Sequence, residues 1–198
     1  MKRLICCAVL VAAPGLVAAQ APAPTPSPSA TPAASPAATP APLPSPAPEL
    51  TKLDFLAGDW IHAENYYPGP TGPGGKGGGR SKTSWILGNH ALLVTYVTKA
   101  PMGTIEGRGI LGWDPEKKTY RMDWFDNTGD AVHYAGDFNA EGVLVLTADL
   151  VRGGRPSKEQ FTIKKQEDGT LLFTAQVAAA DGTMKPTLES LGTRDVKK

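Results

Sequence analysis

The sequence predicts an all-β domain: a closed, up-and-down antiparallel barrel of about ten strands, with a short N-terminal helix and a disordered N-terminal region. Three observations carry this reading. From position 59 onward, Gly, Pro, Asn and Asp punctuate the chain at intervals of about ten residues. The runs between them carry aromatic and β-branched residues. No connection beyond the first is long enough for a crossover helix, so neighbours in sequence pair antiparallel. Such a meander leaves two exposed edges unless it closes, and closure removes both. A sandwich of two sheets is the alternative.

The chain of 198 residues divides by composition. Residues 1–19 read as a secretory signal. Lys2 and Arg3 form the charged start, residues 4–13 the apolar run, and Val17, Ala18 and Ala19 the small residues of a cleavage site. Pro14 and Gly15 break the apolar run before it could span a membrane. Residues 20–48 contain only Ala, Pro, Ser and Thr besides one Leu and one Gln, and hold eleven of the nineteen prolines and no charge. Such a tract buries too little apolar surface to offset chain entropy, so it is expected to be a disordered linker of polyproline II character. It serves either as a tether or as a linker without a partner. The folded part is residues 49–198.

Both cysteines, Cys6 and Cys7, lie inside the signal, and Leu4 to Cys7 stand at the start of the apolar run rather than after it, against lipidation. The exported protein is then expected to have no disulfide, no thiol nucleophile and no Cys-ligated metal. Without Lys2 and Arg3 it carries 18 Lys and Arg against 19 Asp and Glu, a net charge of −1. No basic patch stands out, which gives nucleic-acid binding no electrostatic support.

The first element is a short helix over residues 49–56. Leu50, Leu53 and Leu56 recur every third residue, with Thr51 as candidate N-cap and Gly58 as the stop. Strands are expected at 59–67, 80–87, 91–99, 104–113, 118–126, 130–138, 142–150, 158–166, 170–178 and 184–194. Turns ending at Gly129, Gly142, Gly169 and Gly182 suit tight hairpins with glycine in a left-handed position. Asp114 and Pro115 open another turn.

Alternation sorts the faces. Tyr120, Met122 and Trp124 share one face. So do Val132, Tyr134 and Phe138; Val143 and Val145; Phe161 and Ile163; and Leu171, Phe173 and Val177. These are the expected inward sets. Strands 91–99 and 142–150 are apolar on both faces, which a period of two does not resolve.

The motifs in order are Leu53, Leu56, Gly58 and Trp60; a Gly-rich stretch; Ser84-Trp-Ile-Leu-Gly-Asn; Gly109-Ile-Leu-Gly-Trp-Asp-Pro; Trp124 within residues 120–126; and Gly136 to Gly142. This succession resembles a bacterial domain-of-unknown-function family, number 1579, whose members look like lipocalin-type or fatty-acid-binding-protein-type barrels. The resemblance covers residues 49–194. It implies a lipocalin-like fold with Gly58 and Trp60 as structural residues, the Trp plugging the barrel floor as in calycins, and it supplies no agreed activity. The haem-binding nitrobindins also begin with Gly-x-Trp and use a His near the C-terminal strand. Residues 184–195 hold no His, so that device is missing here.

Candidate chemistry is sparse. The run from Gly72 to Gly79 departs from a phosphate-binding loop, because Gly77 follows Lys76 where Ser or Thr is needed and no helix pattern follows. It is expected to be a flexible loop, a mobile flap at the mouth if the barrel holds a ligand. His62, His90 and His133 lack metal-site spacing, and no cofactor or metal is expected. His90 falls in a turn and His133 on the outer face. No Gly-x-Ser-x-Gly elbow exists and no catalytic residue is nominated. If Trp60 points inward, so do His62, Glu64 and Tyr66, three polar groups that need partners or water.

The expected function is that of an exported barrel, periplasmic or extracellular, that binds a small apolar or amphipathic molecule. Trp85, Tyr96, Trp124 and Tyr134 are candidate aromatic walls, with His62, Glu64, Tyr66 and Arg108 as polar contacts. A protein-interaction module of the cell envelope is the first alternative, and a hydrolase or isomerase the second. No feature of the sequence specifies an oligomeric state.

Overall fold

A computed structural model describes residues 42–69, 72–152 and 154–196. The leader expected over residues 1–19, and the Pro-rich tract as far as residue 41, lie outside the described residues. The folded unit is Leu43–Lys198. Its first residues touch the barrel: Ala47 packs against the core and the Pro44 carbonyl lies 3.2 Å from His90 Nε2.

A 3-10 helix, Pro48–Leu56, opens the fold. Leu50, Leu53 and Leu56 are all buried on it, and their three-residue spacing is the period of a 3-10 helix rather than an α-helix. Proline suits its first turn. Its N-cap is Ala47, which has no side-chain bond; the Thr51 hydroxyl instead donates to the Pro48 carbonyl at 2.8 Å.

Ten strands follow: β1 (Gly58–Tyr66), β2 (Gly75–Ile86), β3 (Ala91–Ala100), β4 (Gly103–Asp114), β5 (Thr119–Asp126), β6 (Ala131–Phe138), β7 (Leu144–Arg152), β8 (Arg155–Lys165), β9 (Leu171–Ala178) and β10 (Met184–Arg194). Each pairs antiparallel with its sequence neighbours, and β1 pairs with β10 from Trp60↔Arg194 to Tyr66↔Leu188, closing the barrel. The expected up-and-down closure is what the chain adopts. Among the described residues, no helix is long and apolar enough to cross a membrane.

Four hairpins use one device. Gly129, Gly142, Gly169 and Gly182 have φ between 73° and 92°, and each N–H donates to the carbonyl three residues back. That is the left-handed closing position the sequence reserved for glycine.

Two further expectations fail. The Gly-rich stretch is not a loop from 72 to 79: residues from Gly75 onward belong to β2, with Gly77↔Glu64 and Gly78↔Lys99 in register. Weak strand propensity is overridden because β1 and β3 flank the run and supply its ladder bonds. On β7 the inward set is Leu144, Leu146 and Ala148, all buried, not Val143 and Val145. The two valines are half-buried, and Val145 sits opposite Asp137 and Thr162 on the outer side.

The 3-10 helix closes one end of the barrel. Trp60 Nε1 donates to the Leu56 carbonyl at 2.9 Å, the Tyr120 hydroxyl to the Glu49 carbonyl at 2.7 Å, and Trp85 Nε1 to Asp54 Oδ1 at 3.1 Å. The Arg194 guanidinium bonds the Ala57 and Phe55 carbonyls and lies 4.0 Å over the Trp60 ring. A Cβ on Gly58 would collide with that guanidinium, so the Gly of Gly-x-Trp makes room for the cation that covers the Trp.

Candidate functional site

A cavity of about 220 Å³ runs from Trp60 and Leu56 at the closed end toward the opposite mouth. Strand β1 sends four side chains into this interior in alternation: Trp60, His62 and Tyr66 line the cavity, and Glu64 between them is 3% exposed.

The Glu64 carboxylate is held by hydroxyls. Tyr66 Oη donates to Oε2 at 2.8 Å and Thr98 Oγ1 to the same oxygen at 2.5 Å. Tyr96 Oη donates to Oε1 at 2.5 Å. Three charge-assisted bonds replace the water a buried carboxylate would lose. The two phenols resist ionisation as a result. Burial first, and then the adjacent Glu64 charge, push Tyr66 up to about 12 and raise Tyr96 also.

Glycine makes this cluster fit. A Cβ at Gly77 would lie 2.7 Å from the Tyr66 ring and 3.2 Å from Glu64 Oε2, and one at Gly79 would strike the Val97 carbonyl and Thr98. The glycine run is therefore the bare wall against which Glu64, Tyr66 and Thr98 pack.

His62 is bracketed by two serines. Its Nε2 lies 2.8 Å from Ser81 Oγ and its Nδ1 3.1 Å from Ser190 Oγ. Its ring packs against Phe173 and Tyr96, with centroids 5.4 and 5.8 Å away. Burial lowers its pKa from 6.5, and the Glu64 charge opposes this less strongly. The ring is thus neutral at neutral pH, donating from one nitrogen and accepting at the other.

The remaining wall is aromatic. Trp124 lies over Gly107 and Gly109, where any Cβ would enter the indole. Its Nε1 donates to Asp126 Oδ2 at 3.1 Å. The Tyr134 hydroxyl donates to Glu159 Oε1 at 2.8 Å. Phe161 and Phe173 stack at 6.1 Å between centroids.

Of the eight ligand contacts nominated from sequence, five line this cavity: His62, Tyr66, Tyr96, Trp124 and Tyr134. Glu64 stands behind its hydroxyl donors. Trp85 is not part of the cavity wall; it packs at the closed end with its indole bound to the 3-10 helix. Arg108 is on the outer face, exposed, its guanidinium on the Gly107 carbonyl, because Gly107 and Gly109 hold the inward positions of β4. Sequence reasoning missed Ser81, Ser190 and Thr98, whose roles depend on register across β1, β2, β3 and β10. It also missed Asp126 and Glu159, whose proximity to inward aromatics on the same or a nearby strand was a usable signal. Among the described residues, no group of three metal-ligating side chains converges.

A family model described as a protein of unknown function, DUF1579, matches residues 45–194. No curated protein matches the chain. Among solved structures, the crystal structure of Rv2717c from M. tuberculosis is similar, with a TM-score of 0.55 and 18% identity, over 76% of this chain and 99% of that one. At that identity the likeness is one of fold.

Proposed function

The chain belongs to the DUF1579 family, and from that premise we propose that it is a binding protein whose barrel interior takes a small apolar or amphipathic molecule. One observation carries this: the interior is an aromatic cavity of about 220 Å³ with a satisfied polar cluster on one wall, instead of a core filled by side chains. An apolar pocket with a few fixed polar groups is the general form of a small-molecule site.

The His62–Ser81 pair is the feature that a hydrolase would share. Its other ring nitrogen meets the uncharged Ser190 hydroxyl, so both serines act here to orient a neutral ring, and the reading is of binding without turnover. The composition of residues 1–19 supports a site of action outside the cytoplasm, which N-terminal sequencing of the protein from its own host would check.

Native mass spectrometry of that host-purified protein tests the binding reading. A retained small molecule is expected, and it should be lost in Ala175→Phe, which fills the cavity from β9. A protein that is empty, or whose retained mass survives Ala175→Phe, would overturn it.

A further inference from the structure

The cavity reading above leaves the ligand's chemistry open, and the wall's hydrogen bonds specify it. The aromatic donors of the wall have already given their protons away. The Tyr66 and Tyr96 hydroxyls donate to Glu64, the Tyr134 hydroxyl to Glu159, and the Trp124 indole to Asp126. A phenol whose proton is committed can only accept from a ligand. An indole whose N–H is committed offers only its π face.

Behind the Tyr66, Tyr96 and Trp124 donors stand the Glu64 and Asp126 carboxylates, so this part of the wall is negative as well as acceptor-rich. Asp126 lines the cavity beside Trp124 and supplies that charge on one side. Glu64 supplies it on the other, where its carboxylate accepts from three neutral hydroxyls. His62 contributes no positive charge while burial keeps it neutral. The Tyr96 and Trp124 rings, 6.0 Å apart between centroids, present faces that attract a cation.

Size narrows the class further. An apolar protein cavity of about 150 Å³ takes benzene, and this one is about 220 Å³. We infer that the cavity selects a protonated amine carried on a compact apolar body of about one ring, and discriminates against a carboxylate. The ammonium donates to the Tyr66 and Tyr96 oxygens, and the ring lies among Trp124, Phe161 and Phe173.

Calorimetric titration of the full chain with three probes of matched shape tests this: phenethylamine, phenethyl alcohol and phenylpropanoate, at a pH where the amine is protonated. The amine is expected to bind about tenfold or more tighter than the alcohol, and the carboxylate weakest. Glu64→Gln and Asp126→Asn should each lower the amine-to-alcohol affinity ratio. Asp126 is only partly buried, so its variant serves even if Glu64→Gln does not fold. Alcohol binding as tight as the amine, or carboxylate binding tighter, would overturn the amine inference and leave the cavity reading standing. Failure of all three probes would also overturn the amine inference, and the cavity reading would then stand or fall on the retained mass.

Discussion

His62 is a titratable ring whose charged form is poorly solvated, because the ring is buried. Its two nitrogens are satisfied by Ser81 and Ser190, and burial lowers its pKa below the 6.5 of the free side chain. The direction sets the sign of the linkage. Below about pH 6.5 the unfolded chain takes up a proton that the folded chain resists, so stability falls as pH drops through the window beneath 6.5. It levels off once the folded His62 also protonates. Urea unfolding midpoints at about pH 7.5 and about pH 5.5 should therefore fall further in the native protein than in His62→Gln, which keeps a donor and an acceptor for the two serines. His90 and His133 are common to both proteins and cancel in the comparison. An equal fall in both proteins would show that His62 carries no such penalty. The inward pointing of His62, Glu64 and Tyr66 was legible from alternation after Trp60, because it is a local property of one strand. Their partners were not: Ser190 lies 128 residues from His62 and meets it only because β10 closes on β1.

At the scale of the strand, glycines and rings are matched across the barrel wall. Gly107 and Gly109 take the inward positions of β4 directly beneath the Trp124 indole, with Gly109↔Trp124 in register. Gly192 sits 3.2 Å from the Phe173 ring and 3.3 Å from that of His62, measured from where its Cβ would be. Each missing side chain is the seat of a neighbouring ring. Gly107→Ala should cost about 1–3 kcal/mol through overpacking, and Trp124→Leu in the same chain should recover part of that cost. A double-mutant cycle of denaturant unfolding measures the coupling; strictly additive effects would mean that the indole is not what fills the space. The same glycines explain where sequence reading succeeded and failed. Turn glycines announce hairpins because a left-handed φ is a local requirement, and nine of the strands read from sequence match closely for that reason. Wall glycines serve a distant ring, so the run in β2 resembled a loop, and Arg108 between two glycines was given the wrong face. On β7, with apolar residues on both sides, the inward choice of Leu144 over Val145 is made by the partners of the strand.

The folded unit is a barrel plugged at one end by the 3-10 helix, and its seams are unequal. The β1–β10 seam that closes it runs from Trp60↔Arg194 to Tyr66↔Leu188, and the β3–β4 ladder is continuous from Ala91↔Gly112 to Ala100↔Gly103. Between β6 and β7 the described ladder spans only Ala135↔Thr147 to Phe138↔Leu144. It covers the half next to the plug, where Phe138 packs on Phe55, and stops short of the mouth. Backbone amides without a ladder partner exchange through small local openings, whereas those in continuous ladders wait for larger ones. Residues 148–152 are laddered only to β8, whereas β3 is laddered to both β2 and β4, so hydrogen exchange followed by mass spectrometry should show residues 148–152 exchanging faster than residues 91–100, with the β1–β10 seam as slow as β3–β4. This half-paired seam lies beside Tyr134 and Phe161 of the cavity wall, so a bound probe should slow exchange at residues 148–152 more than in β3. Equal exchange at the two seams in the free protein would mean that β6 and β7 are held together by contacts other than the ladder.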